Sequence, residues 1–184
     1  VLQSLKEEKK MGYLSDKSVY LAGPMHAVED DGIGWRHWIS PILERRWNLK
    51  VEDPSKKVVN GVVEIYDHKE YFKSIIESLN WEKIKEEFYP IVRKDLRCVD
   101  KADLIIAVYD PTVHMFGTIH ELVMAHLERK PIYVFVNSDN AKKINPWLFT
   151  LIQPDWLFLE WEQMFKRLDK VDQGDINPEY WSLT

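Results

Sequence analysis

The chain has 184 residues, a length that suits one domain with its own core. It is 45% hydrophobic and 30% charged, with a formal net charge of -5. That is an ordinary globular balance, and it argues against the basic groove that tracks a nucleic acid. Cys98 is the one cysteine, which excludes an intrachain disulfide and fits a reducing cytoplasm. Val1 to Lys10 lacks the apolar run of a signal peptide, and no stretch approaches the roughly 20 apolar residues that span a bilayer. The expectation is a cytoplasmic protein with neither a nucleic acid nor a membrane as partner.

Read in chain order, residues 1–16 form a polar lead-in. Ser18 to Gly23 reads as a buried strand ending in Gly-Pro. Trp35 to Arg46 has helical spacing, and Leu49 to Glu52 reads as a second strand. Ser55 to Gly61 reads as a loop. Asp67 to Tyr89 reads as a helix with a break near Asn80. Pro90 is expected to end that helix and start another reaching about Lys101. Leu104 to Tyr109 is the strongest strand, continuous and β-branched as in a parallel sheet. A helix follows from Gly117 to Arg129, then a strand from Ile132 to Val136. Pro146 to Ile152 reads as a short helix, Trp156 to Leu159 as a last strand, Glu160 to Leu168 as a helix, and residues 172–184 as an irregular tail. This alternation predicts a single α/β domain over 1–184, with a flavodoxin-like, doubly wound, five-stranded parallel sheet. In such sheets ligands lie beyond the carboxyl ends of the strands, where strand order reverses. Four of the seven glycines, Gly23, Gly32, Gly34 and Gly117, follow strands in this way.

Two carboxylates stand out. Glu121 lies three residues after Thr118 near a predicted helix start. It is either the partner of Thr118 in a capping box or a nucleophile, a role carboxylates play in glycosyl transfer. A glutamate in a first helical turn would also be kept ionised by the helix dipole. Asp95 shares a helix face with Ile91, Cys98 and Ala102. It is either an ion-pair partner of Arg93 or Arg97, or a functional group on an apolar stripe. Asp110 either binds ligand or shapes the turn before Pro111. The loop carrying Gly23, Pro24 and Met25 leads to Trp35 and Arg36. Arg36 suits a phosphate or carboxylate, or an ion pair with Asp30 or Asp31. The loop is not a dinucleotide fingerprint. His114, His120 and His126 are six apart, which is not the spacing of a helical zinc pair.

The ordered set Tyr20-Leu21-Ala22-Gly23-Pro24-Met25, Arg93-Lys94-Asp95-Leu96, Lys101-Ala102-Asp103, Gly117-Thr118-Ile119-His120-Glu121-Leu122 and Lys130-Pro131-Ile132 resembles the nucleoside 2-deoxyribosyltransferase family and its nucleotide N-glycosidase relatives. The resemblance runs from about Ser18 to Leu159, with a helical insertion over residues 55–87. It implies that Glu121 attacks C1′ of the sugar and that Asp95 assists proton transfer to the leaving base. It implies that Tyr20, Gly23, Pro24 and Met25 line the pocket. It also implies that Asn145 is lent to a neighbouring subunit in a homo-oligomer, that no cofactor is needed, and that the substrate is a small nucleoside or nucleotide. Trp35, Arg36, Asp110, Met115, Gly117 and Thr118 complete the expected binding set. The sequence departs from the pattern twice. Met115 stands six residues before Glu121, where the transferases tend to carry an acid and the monophosphate hydrolases a serine. Ile119 replaces a frequent glycine. Two other readings use the same residues: a nucleotide-binding sensor without turnover, and cleavage of the nicotinamide bond of NAD.

Overall fold

The computed structural model describes residues 12–25, 28–56, 58–59, 62–63 and 69–176. Its first half holds β1 (Ser18–Ala22), α1 (Ile33–Trp47), β2 (Lys50–Glu52), the short strands β3 (Val58–Val59) and β4 (Val62–Val63), then α2 (Lys69–Glu77) and α3 (Trp81–Lys101). The second half holds β5 (Leu104–Val108), α4 (Phe116–Leu127), β6 (Ile132–Phe135), β7 (Leu157–Phe158) and α5 (Trp161–Asp172). The main sheet is parallel throughout, in the order β2-β1-β5-β6-β7. Counting its strands alone, this is the expected flavodoxin-like 2-1-3-4-5 arrangement.

The two central strands explain the layering. Val19 to Ala22 and Leu104 to Ala107 are fully buried, because continuous apolar runs need cover on both faces of the sheet. Leu21 pairs with Ile106 and Ala22 with Ala107. Strand order reverses at this pair, since β2 lies on one side of β1 and β5 on the other. The crevice beyond the carboxyl ends of β1 and β5 is therefore the topological switch point.

The helix over residues 81–101 differs from expectation. Pro90 lies inside α3, which is unbroken over 21 residues. Proline removes one amide donor and crowds the carbonyl of residue 86. Here Glu86 and Pro90 are both exposed, so water can serve the orphaned carbonyl. Packing holds the helix on both sides of the proline. Phe88 and Ile91 join Phe72 and Ile75 of α2 in a small cluster separate from the main core. The break near Asn80 is present, and the Asn80 side chain accepts from the Lys83 amide at 3.0 Å to cap α3.

The expected loop at 55–61 contains part of an antiparallel hairpin, β3 against β4. The lead-in is not polar to its end, because Leu14 is fully buried. The Leu14 amide donates to the Asp172 carboxylate at 2.9 Å, and the Tyr13 amide to the Asp172 carbonyl at 3.0 Å. Helix α5 accordingly runs to Asp172, four residues past the expected end at Leu168. The expectations for residues 1–11, parts of 57–68, and 177–184 lie outside the described residues.

Candidate active site

A cleft of about 240 Å³ opens at the switch point. Gly23, Pro24 and Met25 form one wall where the chain leaves β1. His114, Met115, Gly117, Thr118 and Glu121 form a second wall from the start of α4. Phe88, Ile91, Val92 and Asp95 form the third, from α3. The two carboxylates singled out in the sequence thus come together in one cleft, carried by different helices.

Glu121 is not part of a capping box. Helix α4 starts at Phe116, its N-cap position is Met115, and no side chain bonds the cap. Thr118 is therefore the third helical residue, buried and facing the cleft. Glu121 falls in the second turn, where the helix dipole has largely faded. The expectation of dipole support in the first turn is corrected accordingly. The helix starts earlier because the Ile119 amide reaches back to the Met115 carbonyl at 2.8 Å. What fixes Glu121 instead is Tyr20, whose hydroxyl donates to Glu121 Oε1 at 2.7 Å.

Tyr20 is fully buried on β1, behind the cleft. Burial pushes its hydroxyl well above the usual tyrosine value, and the charges of Glu121 and Asp95 push in the same direction. Both carboxylates therefore act on Tyr20, which stays a neutral donor through the physiological range. Asp95 is half-buried at the middle of α3.

Five of the expected binding residues do not line the cleft: Tyr20 lies behind it, and Trp35, Arg36, Asp110 and Asn145 lie elsewhere. Arg36 is fully buried. It donates to the carbonyls of Leu21 at 3.2 Å, Gly32 at 2.7 Å and Gly23 at 3.0 Å. Its acidic partner is Asp53, at 3.8 Å, and not Asp30 or Asp31. Asp30 instead accepts from the amides of Gly32 and Gly34, both at 2.9 Å, at the start of α1. Burial lowers the Arg36 pKa, while Tyr20, Asp53, Glu121 and Asp95 oppose that shift. Arg36 is a clamp on the loop after β1, with its donors already committed to backbone. Gly32 sits under it with φ 69°, where a Cβ would collide with the Pro24 carbonyl oxygen. Trp35 backs the same loop, with the Arg36 guanidinium 4.7 Å over its ring and Trp161 stacked 6.2 Å away. Asp110 shapes its turn, accepting from the Thr112 amide at 2.9 Å and the Thr112 hydroxyl at 2.6 Å. Asn145 is exposed and accepts from the Trp147 amide at 3.0 Å.

Phe88, Ile91, Val92 and His114 line the cleft without being read as site residues in the sequence, although Ile91 stands there on the face of Asp95. The signal for the first three was their helical spacing from Asp95. Breaking the helix at Pro90 placed Phe88 on a different element and hid the shared face.

The sheet order and the cleft beyond β1 and β5 define the chain as a flavodoxin-like, doubly wound α/β fold with a crevice at its switch point. Among solved structures, it is similar to a 2-deoxyribosyltransferase from Bacillus psychrosaccharolyticus, at 18% identity and a TM-score of 0.50, over 80% of this chain and 89% of that one. It is also similar to a conserved protein from Enterococcus faecalis V583, at 15% identity and a TM-score of 0.54, over 85% of this chain and 99% of that one. A CMP N-glycosidase from Clostridium botulinum is 16% identical over 83% of this chain and 99% of that one, with a TM-score of 0.43 that adds nothing to the fold assignment. No protein-family model and no curated protein sequence matches the chain. At these identities the likeness is one of fold. Among the described residues, no helix is long and apolar enough to cross a membrane.

Proposed function

We propose that the chain breaks or exchanges the N-glycosidic bond of a nucleoside or nucleotide by double displacement. The observation that carries this reading is the meeting of Glu121 and Asp95 in one cleft at the switch point, with Tyr20 holding Glu121 at 2.7 Å. In the first step a Glu121 oxygen bonds to C1′ as the C1′–N bond breaks. The bonding pair leaves with the base nitrogen, which takes a proton from the Asp95 carboxyl. In the second step a new base nitrogen or a water attacks C1′, Glu121 leaves, and Asp95 takes back a proton. Two inversions give net retention. The cleft walls exclude solvent from one face of the sugar, and the neutral Tyr20 donor holds the nucleophile in one rotamer.

The test is a trapped glycosyl-enzyme. A 2′-fluoro nucleoside with a reactive leaving group slows both steps, and its leaving group keeps the first fast enough for the adduct to accumulate. Intact mass is expected to rise by one sugar per chain, with peptide mapping placing it on the segment carrying Glu121. An adduct on another residue removes Glu121 as nucleophile, and inversion at C1′ removes double displacement. Added base accelerates decay of the adduct in a transferase and leaves it unchanged in a hydrolase.

The reading extends to a homo-oligomer that shares sites through Asn145. Phe116 and Trp147 support it, being 87% and 80% exposed on the outer side of α4 and on the turn after Asn145, because large apolar groups left in water favour a contact. Mixing the Glu121→Gln and Asn145→Ala variants, each inactive alone, is expected to restore part of the activity. No recovery after confirmed subunit exchange removes the sharing.

A further inference from the structure

Arg36 is the one fully buried cation among the described residues, and its hydrogen bonds do not neutralise it. They go to the carbonyls of Leu21, Gly23 and Gly32, which are neutral acceptors. Asp53, its acidic neighbour, is 3.8 Å away, beyond the reach of a hydrogen bond. The Asp53 carboxylate is engaged elsewhere. Its Oδ1 accepts from the Ser55 amide at 2.9 Å and the Ser55 hydroxyl at 2.7 Å, and Lys56 lies 3.7 Å from its Oδ2. A guanidinium held by carbonyls keeps its charge, and at low effective dielectric that charge acts over several ångströms.

The charge stands directly behind the cleft. Gly23 lines the cleft, and a Cβ placed on it would lie 3.4 Å from Arg36 Nη2. The wall between guanidinium and cleft is therefore one glycine thick. Next to Leu21 on the same strand, Tyr20 donates to Glu121 at 2.7 Å. Burial lowers the Arg36 pKa, while Tyr20, Asp53, Glu121 and Asp95, in that order, oppose the shift. Of the two cleft carboxylates, Glu121 thus meets more of the charge. The other titratable groups facing Glu121 are Tyr20 from β1, Asp95 from α3 and the exposed His114 from the turn before α4.

Resting on the reading of the preceding subsection, we propose that Arg36 is a positioning residue that sets the two carboxylates apart. Acting across Gly23 and Tyr20, its charge favours ionised Glu121 over ionised Asp95. The nucleophile is then the first of the pair to lose its proton, and Asp95 keeps one for the leaving base. Two carboxylates in one site titrate in two steps, and unequal surroundings give them unequal roles. Asp53 limits how much of the Arg36 charge reaches the cleft.

The experiment follows the carboxyl carbons of the isotope-labelled full chain by NMR against pH. Glu121 is assigned by its loss in Glu121→Gln, and Asp95 by its loss in Asp95→Asn. Glu121 is expected to dominate the lower step. Arg36→Gln is expected to raise that step by about one pH unit, and Arg36→Lys to hold it near its wild-type position. Asp53→Asn, which keeps an oxygen for Ser55, is expected to lower it. A purely structural clamp would instead lower the melting temperature in all three variants and leave the titration in place. That result overturns the proposal, as does Asp95 taking the lower step in the wild type. Should Arg36→Gln not fold, Asp53→Asn decides, and a lower step that stays in place or rises overturns the proposal. The acid limb of kcat/KM is expected to move with the lower step. Titration shifts without any wild-type glycosidic turnover keep the role of Arg36 and remove the glycosidic reading, so the two fail separately.

Discussion

The two helices that carry the carboxylates are anchored differently. Helix α4 sits on the main core, where Leu122 and Ala125 are fully buried on either side of the turn after Glu121. Helix α3 spans two cores. Val99, one turn after Asp95, is fully buried in the main core, whereas Ile91, one turn before it, belongs to the small cluster with Phe72 and Ile75. Asp95 stands at the junction. The Glu121 side of the cleft therefore rests on the main core, and the Asp95 side rests partly on the separate cluster between α2 and α3. Local stability tracks the amount of buried contact, so the two sides should respond differently to perturbation.

The sharpest way to break this comparison is at Glu121. Glu121→Gln is expected to lower turnover by roughly several hundredfold or more with an unchanged melting temperature, because no cap is lost. A small activity change with a lowered melting temperature would return Glu121 to a structural role. Asp95→Asn is expected to cost about a hundredfold. The cost should grow with the basicity of the leaving base, which is measured by kcat across a leaving-group series. A flat series would mean that Asp95 holds the helix junction and moves no proton.

Much of this was readable before any coordinates. The strands near Leu21 and Ile106 declare themselves by continuous burial-seeking side chains, and the ordered motifs bring Glu121, Asp95 and the Gly23-Pro24-Met25 turn to one place. The environment of each side chain was not readable. Arg36 looks like a phosphate ligand by type, yet three backbone carbonyls at the end of β1 and the start of α1 claim it, which no local pattern announces. Pro90 looks like a helix end, yet Phe88 and Ile91 pack strongly enough to carry the helix through it. Thr118 and Glu121 have the spacing of a capping box, and the helix starts three residues too early to use it. In each case tertiary contacts overrode a valid local rule.

The helical pair offers a finer test. Phe72→Ala removes a ring behind Phe88 without touching the cleft. It is expected to destabilise the α2–α3 pair by about 3 kcal/mol. The effect should show as faster amide exchange there, with the protection of β1 and β5 unchanged. In activity, KM should rise a few-fold while kcat stays near normal. A matching loss of protection in the sheet would mean that the two regions form one cooperative unit.

The smallest effect at neutral pH comes from two buried tyrosines. Burial raises Tyr20 well above its ordinary 10.0 and lifts Tyr133 to about 12. A raised folded-state value means that the fold favours the protonated form. This stabilisation is complete below about pH 10, the unfolded value, and is lost as pH climbs through the folded values. Urea midpoints are expected to be flat up to pH 9 and to fall above about pH 10. Tyr133→Phe should shrink that fall. An unchanged alkaline limb would place the titrating groups elsewhere.

The clamp at Arg36 has a consequence for recombination. Its guanidinium ties the carbonyls of Leu21, Gly23 and Gly32 to the carboxylate of Asp53, so one side chain staples together segments from three consecutive elements. A chimera that imports only the pocket loop from a related protein would strand a buried cation or a buried anion, each a defect of several kcal/mol. The exchangeable unit is residues 21 to 53 as one block. Within that block, loop length and the glycine at position 32 are inherited together.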